Sequence, residues 1–219
     1  MKKTNDLITK LCGDLKNPSE SKNWFVRYWS IWAVFTLVLA ALTYGITVLV
    51  PQEAHLPHDL GSPIFKMEVL TWFSIAVLAS IIAYLSSVPQ KKNGFIIPGA
   101  YLALTILTAS IAIRFDYAHI AQDFVAELHF WRAGCGMFIA VSAATSTWAL
   151  FTVMRRAAAP LHVQKTATWA ALSLGAFSAM LMHMVCVHVS SAHVILWHAL
   201  PMALVILWAR FSSKTLLRW

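Results

Sequence analysis

The sequence predicts an all-α, polytopic membrane protein: a bundle of six transmembrane helices with a short cytoplasmic N-terminal amphipathic helix. Three observations lead there. Of 219 residues, 59% are hydrophobic and only 12% are charged, against the roughly 25% charged residues that a water-covered surface of this size carries. The apolar residues fall into six runs, each long enough for a hydrocarbon core of about 30 Å at about 1.5 Å per helical residue. The basic residues collect in alternate connections, as the positive-inside rule requires of a multi-pass chain.

The first twenty-nine residues form a polar segment with no apolar core of signal-peptide type, so the first apolar run is expected to remain as a helix. Within this segment Asn5 and Asp6 are of the type that caps a helix. Leu7, Ile8, Leu11 and Leu15 then share one face at spacings near the helical repeat, and Asn17-Pro18 ends the helix, followed by a short polar linker. Two uses fit such a helix: docking into the groove of a partner, or lying on the inner leaflet with its lysines beside the lipid headgroups. Cys12 reads as a reduced packing residue of this helix.

The membrane domain, residues 30–219, follows. Its predicted spans are Ser30–Val50, Ile64–Val88, Phe95–Ile113, Gly134–Met154, Thr166–Val189 and Val194–Phe211. Pro51 and Pro89 mark the ends of the first two, and Arg155 and Arg156 the end of the fourth. Fourteen of the seventeen Lys and Arg residues lie in the N-terminal segment, the second and fourth connections and the C-terminal end; only Lys66, Arg114 and Arg132 lie on the other side. That split predicts both termini in the cytoplasm of a bacterial inner membrane. Glu53, Asp59, Glu68, Asp116, Asp123 and Glu127 then give a mildly acidic outer surface, and the spans themselves are expected to carry almost no charge. The net charge of +8 belongs to this topology and does not point to nucleic acid.

Chemistry-bearing residues gather on the outer side. Of nine histidines only His162 falls in a cytoplasmic loop. Cys135, in the first turn of the fourth helix, and Cys186, in the last turn of the fifth, are expected at similar depth because the two helices run antiparallel. With His183, His188, His193 and His198 they form a candidate metal-ligand set suited to zinc, copper or cadmium. The same two cysteines are candidate signal-sensing residues that exchange between thiols and a disulfide. The competing reading is of interface histidines and small buried cysteines, since the spacing matches no defined zinc motif. Met180, Met182 and Met184 read as packing or lipid-facing residues. No phosphate loop, nucleophile elbow or intramembrane acid pair suggests an enzyme.

Several strings resemble the NrsF-like family of membrane anti-sigma factors: Asn5-Asp6-Leu7-Ile8 with Leu11 and Asp14-Leu15; Cys135; Arg155-Arg156-Ala157-Ala158-Ala159-Pro160; Cys186; Trp197-His198; and Leu216-Leu217-Arg218-Trp219. Val187 departs from the proline that usually follows the second cysteine in that family. The resemblance implies a non-enzymatic regulator. Asp6, Leu7, Ile8, Leu11 and Leu15 would hold an extracytoplasmic-function sigma factor, with no direct contact to nucleic acid. A periplasmic metal or redox signal at Cys135 and Cys186 would release it. Two other functions compete: a membrane thiol–disulfide oxidoreductase, and a small metal transporter entered through the outer His/Cys cluster.

Overall fold

The computed structural model describes residues 18–49, 62–87, 99, 101–102, 105–106, 109, 120–128, 133–157, 162–186 and 190–216. All regular structure among them is helical: α1 (Pro18–Leu49), α2 (Pro63–Ser87), the short α3 (Ile120–Glu127), α4 (Ala133–Ala157), α5 (Val163–Val185) and α6 (Ser191–Leu216). Five of these, all except α3, are long and apolar enough to cross a membrane, where the sequence predicts six spans. The remaining predicted span, 95–113, lies largely outside the described residues, and those of it that are described are helical.

Several observed helices overrun their predicted limits for identifiable reasons, whereas α5 ends at Val185, short of the predicted Val189. Pro18, expected to follow a helix that lies outside the described residues, opens α1, and the polar stretch read as a linker is helical. Proline suits the first turn because its missing N–H would have no intrahelical partner there. Pro63 opens α2 in the same way, with Ser62 O accepting from Lys66 N–H at 3.2 Å. Arg155 and Arg156 do not stop α4, which runs on to Ala157; arginine is a good helix former, and the last carbonyls favour a cation.

Helix α5 is the hub, touching α1, α2, α4 and α6. Its buried positions are mostly small: Ala167, Ala170, Ala171, Ser173, Gly175, Ala176, Ser178 and Ala179. Small side chains let helix backbones approach closely, the usual basis of helix association where no water is expelled. Hydroxyls inside the apolar helices are satisfied locally: Thr43 Oγ1 donates to Leu39 O at 2.8 Å, Thr71 Oγ1 to Met67 O at 2.6 Å, and Ser178 Oγ to Leu174 O at 2.9 Å. One polar stitch crosses three helices. Trp32 Nε1 donates to Ser173 Oγ at 2.9 Å, and Ser173 Oγ donates to Ala76 O at 2.7 Å.

Two apolar clusters fill the bundle. One joins Leu39, Trp72, Ile75, Ile139, Phe177 and Met202; the other joins Tyr28, Tyr84, Leu150, Phe151, Met154 and Leu174. Outside, Val26, Leu37, Leu70, Leu204 and Phe211 are exposed. Such a surface fits an apolar surrounding. Met180 is buried, Met182 packs at the core edge and Met184 is exposed, in keeping with packing roles.

Candidate metal and redox centre

Three backbone events bring the donors together at one end of the bundle. Helix α5 stops at Cys186, whose φ of −76° and ψ of 126° turn the chain into an extended conformation while its N–H still bonds Met182 O at 2.8 Å. Ser190 then starts α6. Its extended backbone and its Oγ, accepting from His193 N–H at 3.1 Å, make it an N-cap. Third, Val194–Ala199 winds as a π-helix, Leu200 N–H bonding Ile195 O five residues back.

That wide turn has a cause and a consequence. Pro201 has no N–H to give, and its ring would crowd the carbonyl of Trp197 in a regular α-helix. Loosening the preceding turn relieves the conflict. Residues five apart on an α-helix point about 140° away from one another. In the π-turn His193 and His198 instead face the same centre, their ring centroids 5.5 Å apart.

Four ligating atoms, one each from Cys135, Cys186, His193 and His198, lie within 4.8 Å of one another. The two sulfurs are 3.5 Å apart, and Cys186 Sγ is 3.2 Å from His193 Nε2. The two cysteines are not joined by a disulfide. Cys186, His193 and His198 are buried and Cys135 is partly exposed, so the approach to the centre is from the α4 side. Neither ring nitrogen of His198 has a hydrogen-bond partner among the described residues.

The surrounding groups orient the donors. Glu127, at the end of α3, is buried; its Oε2 lies 2.8 Å from His193 Nδ1 and its Oε1 accepts from Ser190 Oγ at 3.0 Å. Trp197 Nε1 donates to the Glu127 carbonyl at 3.0 Å, fixing α3 to α6. A second carboxylate–imidazole pair stands alongside: Glu68 of α2 reaches His183 Nε2 at 3.0 Å. Phe65 stacks on the His183 ring at 5.1 Å, and His183 meets His198 edge to face at 5.7 Å.

The structure therefore collects four of the six candidate ligands. His183 lies beside them with one nitrogen committed to Glu68, and His188 lies outside the described residues, as do Asp6, Leu7, Ile8, Leu11 and Leu15. The acids are a correction. Glu68 and Glu127, expected on a polar outer surface, are both buried against histidines, and Glu68 lies within an apolar helix expected to be uncharged. An ionisable group held inside such a helix at the cost of desolvation is characteristically paired and functional. One sequence signal could have found the site: Pro201 inside an apolar run.

Neither the curated proteins nor the solved structures contain a match to this chain. The family model NrsF, described as negative regulator of sigma F, matches residues 13–219, which take in the whole centre and every described helix. With cysteines, histidines and bundle all inside the matched region, the chain belongs to the NrsF family.

Proposed function

We propose that this chain is a multi-pass membrane anti-sigma factor of the bacterial inner membrane, with both termini in the cytoplasm. Its segment 1–29 holds an extracytoplasmic-function sigma factor away from RNA polymerase through Asp6, Leu7, Ile8, Leu11 and Leu15. A metal or an oxidant acting at Cys135 and Cys186 from the periplasmic side releases it. The observation that carries this reading is the gathering of both cysteines and two buried histidines into one centre. That centre sits in a chain whose family is described as a negative regulator of a sigma factor.

The centre and the Tyr28 end of α1 lie at opposite ends of the bundle, and packed side chains run between them. Helix α5 carries Cys186 at one end and Ser173 on the face that binds Trp32 of α1. Helix α1 continues from Trp32 back to Pro18, beside the sigma-binding segment. Drawing Cys186 towards Cys135 moves the end of α5, and the Trp32–Ser173 stitch hands that displacement to α1. A ligand shifts such an equilibrium only by its differential affinity for the two packings, and tenfold release needs about 1.4 kcal/mol. A metal ion, or an oxidant that closes the sulfurs from 3.5 Å to the roughly 2.05 Å of a disulfide, supplies that difference if it fits one packing and not the other.

The test is co-purification of the detergent-solubilised chain from its host, with and without residues 1–16. A sigma factor recovered only with the full-length chain is the expected result. Its absence from both samples would overturn the anti-sigma reading and bring forward the oxidoreductase and transporter alternatives.

A further inference from the structure

We infer that Cys135, Cys186, His193 and His198 form a closed four-coordinate site for a thiophilic divalent d10 cation, zinc or cadmium, with Glu127 as the residue that positions His193. This rests on reading the centre as sensory and narrows what it senses; an oxidant becomes an outcome of the test.

The geometry is near that of a bound ion. Zinc holds thiolate sulfur at about 2.3 Å and imidazole nitrogen at about 2.0–2.1 Å, so neighbouring ligands of a tetrahedron stand roughly 3.3–3.8 Å apart. Here sulfur to sulfur is 3.5 Å, sulfur to His193 Nε2 is 3.2 Å, and the whole set fits within 4.8 Å. A contraction of the longer edges around one ion is all that closure requires. Two thiolates and two imidazoles suit a borderline-to-soft cation, whereas magnesium and calcium demand oxygen.

The chemistry of the two histidines points the same way. His198 is wholly buried and has no hydrogen-bond partner for either nitrogen among the described residues. A metal ion that took a lone pair from one of these nitrogens would account for part of that buried, unsatisfied polarity. His193 is prepared for the same role. The Glu127 carboxylate, 2.8 Å from Nδ1, accepts a hydrogen bond from Nδ1–H, which leaves the Nε2 lone pair facing Cys186. A carboxylate behind a ligating histidine is the usual support of such centres. Binding is balanced: the cation takes two thiols and two neutral imidazoles, two protons leave, and the two thiolates cancel its charge. Four protein ligands would complete the tetrahedron and leave no open position for a substrate, as in a structural or sensory site rather than a catalytic one.

The experiment titrates cobalt(II), a spectroscopic stand-in for zinc, into the reduced full-length chain in detergent, followed by competition with zinc and cadmium. One cobalt per chain, with tetrahedral d–d bands and a sulfur-to-cobalt charge-transfer band displaced by either metal, is expected. His198→Ala should lose the tetrahedral spectrum. Glu127→Gln should retain it but bind about 10–100-fold more weakly. Tyr28→Phe, at the far end of the bundle, should bind as the parent chain does. A chain with two titratable centre thiols that takes up no metal overturns the inference, and so does an unchanged cobalt spectrum in His198→Ala. Unchanged affinity in Glu127→Gln overturns the positioning role. The failure of the anti-sigma reading is seen separately, in the dependence of sigma-factor recovery on residues 1–16. A metal-free chain that still releases sigma factor on treatment with peroxide would leave the sensory reading standing with an oxidant as its signal.

Discussion

At the end of the bundle that holds Cys135 and Cys186, helices stop, widen and restart: α5 breaks at Cys186, Ser190 caps a new helix, and Val194–Ala199 winds as a π-turn. At the other end, around Tyr28, Tyr84 and Met154, α1, α2, α4 and α5 run as uninterrupted helices against an apolar core. The first region spends backbone regularity to aim polar atoms, and buries Glu68, Glu127, His183, His193 and His198. The second keeps its contacts close and, apart from the Tyr28–Ser80 bond, its hydrogen bonds within single helices, as an apolar surrounding favours. The difference teaches where ligand response and stability should separate. Substitutions at the cysteine end should change what the protein responds to, and substitutions at the far end should change only how firmly it is folded.

The largest effect belongs to Cys186→Ser. It removes a donor that touches both Cys135 and His193, so induction of a sigma-dependent reporter by metal or oxidant should be lost, with the protein held in one state. A reporter that still responds normally would remove the cysteines from the sensing step. Gly136→Ala comes next and tests whether the two properties can be altered together. An added Cβ would lie 2.9 Å from Trp197 Cε3 and 3.2 Å from Pro201 Cγ, atoms held by the π-turn beside His198. Overpacking of this kind costs about 1–3 kcal/mol, and pushing Trp197 away also disturbs its bond to Glu127. Thermal unfolding and cobalt affinity should therefore both fall. Gly175→Ala is the control: its Cβ meets Met202 Cγ at 2.7 Å, near the root of a buried side chain and away from the centre, so stability should fall while cobalt binding is retained. Ser173→Ala breaks the stitch between Trp32 and Ala76. We expect a loss of about 1–2 kcal/mol in thermal stability and, if the stitch carries the signal, a weaker reporter response with unchanged metal affinity.

The bundle was more legible in the sequence than the centre, and particular residues show why. Apolar runs and antiparallel order foretell that Cys135 and Cys186 meet, because a helix of known length fixes the depth of its ends. Glu127 and Glu68 gave no such signal. Carboxylates near helix ends are ordinarily solvated, and their burial depends on histidines more than sixty residues away in sequence. The convergence of His193 and His198 was hidden for a different reason: an α-helical period places them on separate faces, and only the π-turn ahead of Pro201 reunites them. Polar composition likewise disguised the start of α1, since Ser19, Glu20, Ser21 and Lys22 read as linker while Pro18 allows a helix to begin.

The smallest effect tests the far end alone. Tyr28 is fully buried, and its hydroxyl donates to Ser80 O at 3.0 Å and lies 3.2 Å from Ser80 Oγ, tying α1 to α2. Its ring packs edge to face with Trp29 at 5.7 Å and at a tilt to Tyr84 at 5.5 Å. Tyr28→Phe retains those ring contacts and removes only the hydrogen bond, which between membrane helices averages about 0.6 kcal/mol. A small drop in thermal stability with unaltered cobalt affinity is expected. The informative readout is the reporter. If Tyr28→Phe changes the response while the metal still binds normally, then α1 is released partly at its Ser80 anchor, and the far end of the bundle is itself an element of the switch. If the response is unchanged, movement enters α1 at Trp32, and the Tyr28–Ser80 bond acts as the fixed point about which the helix turns.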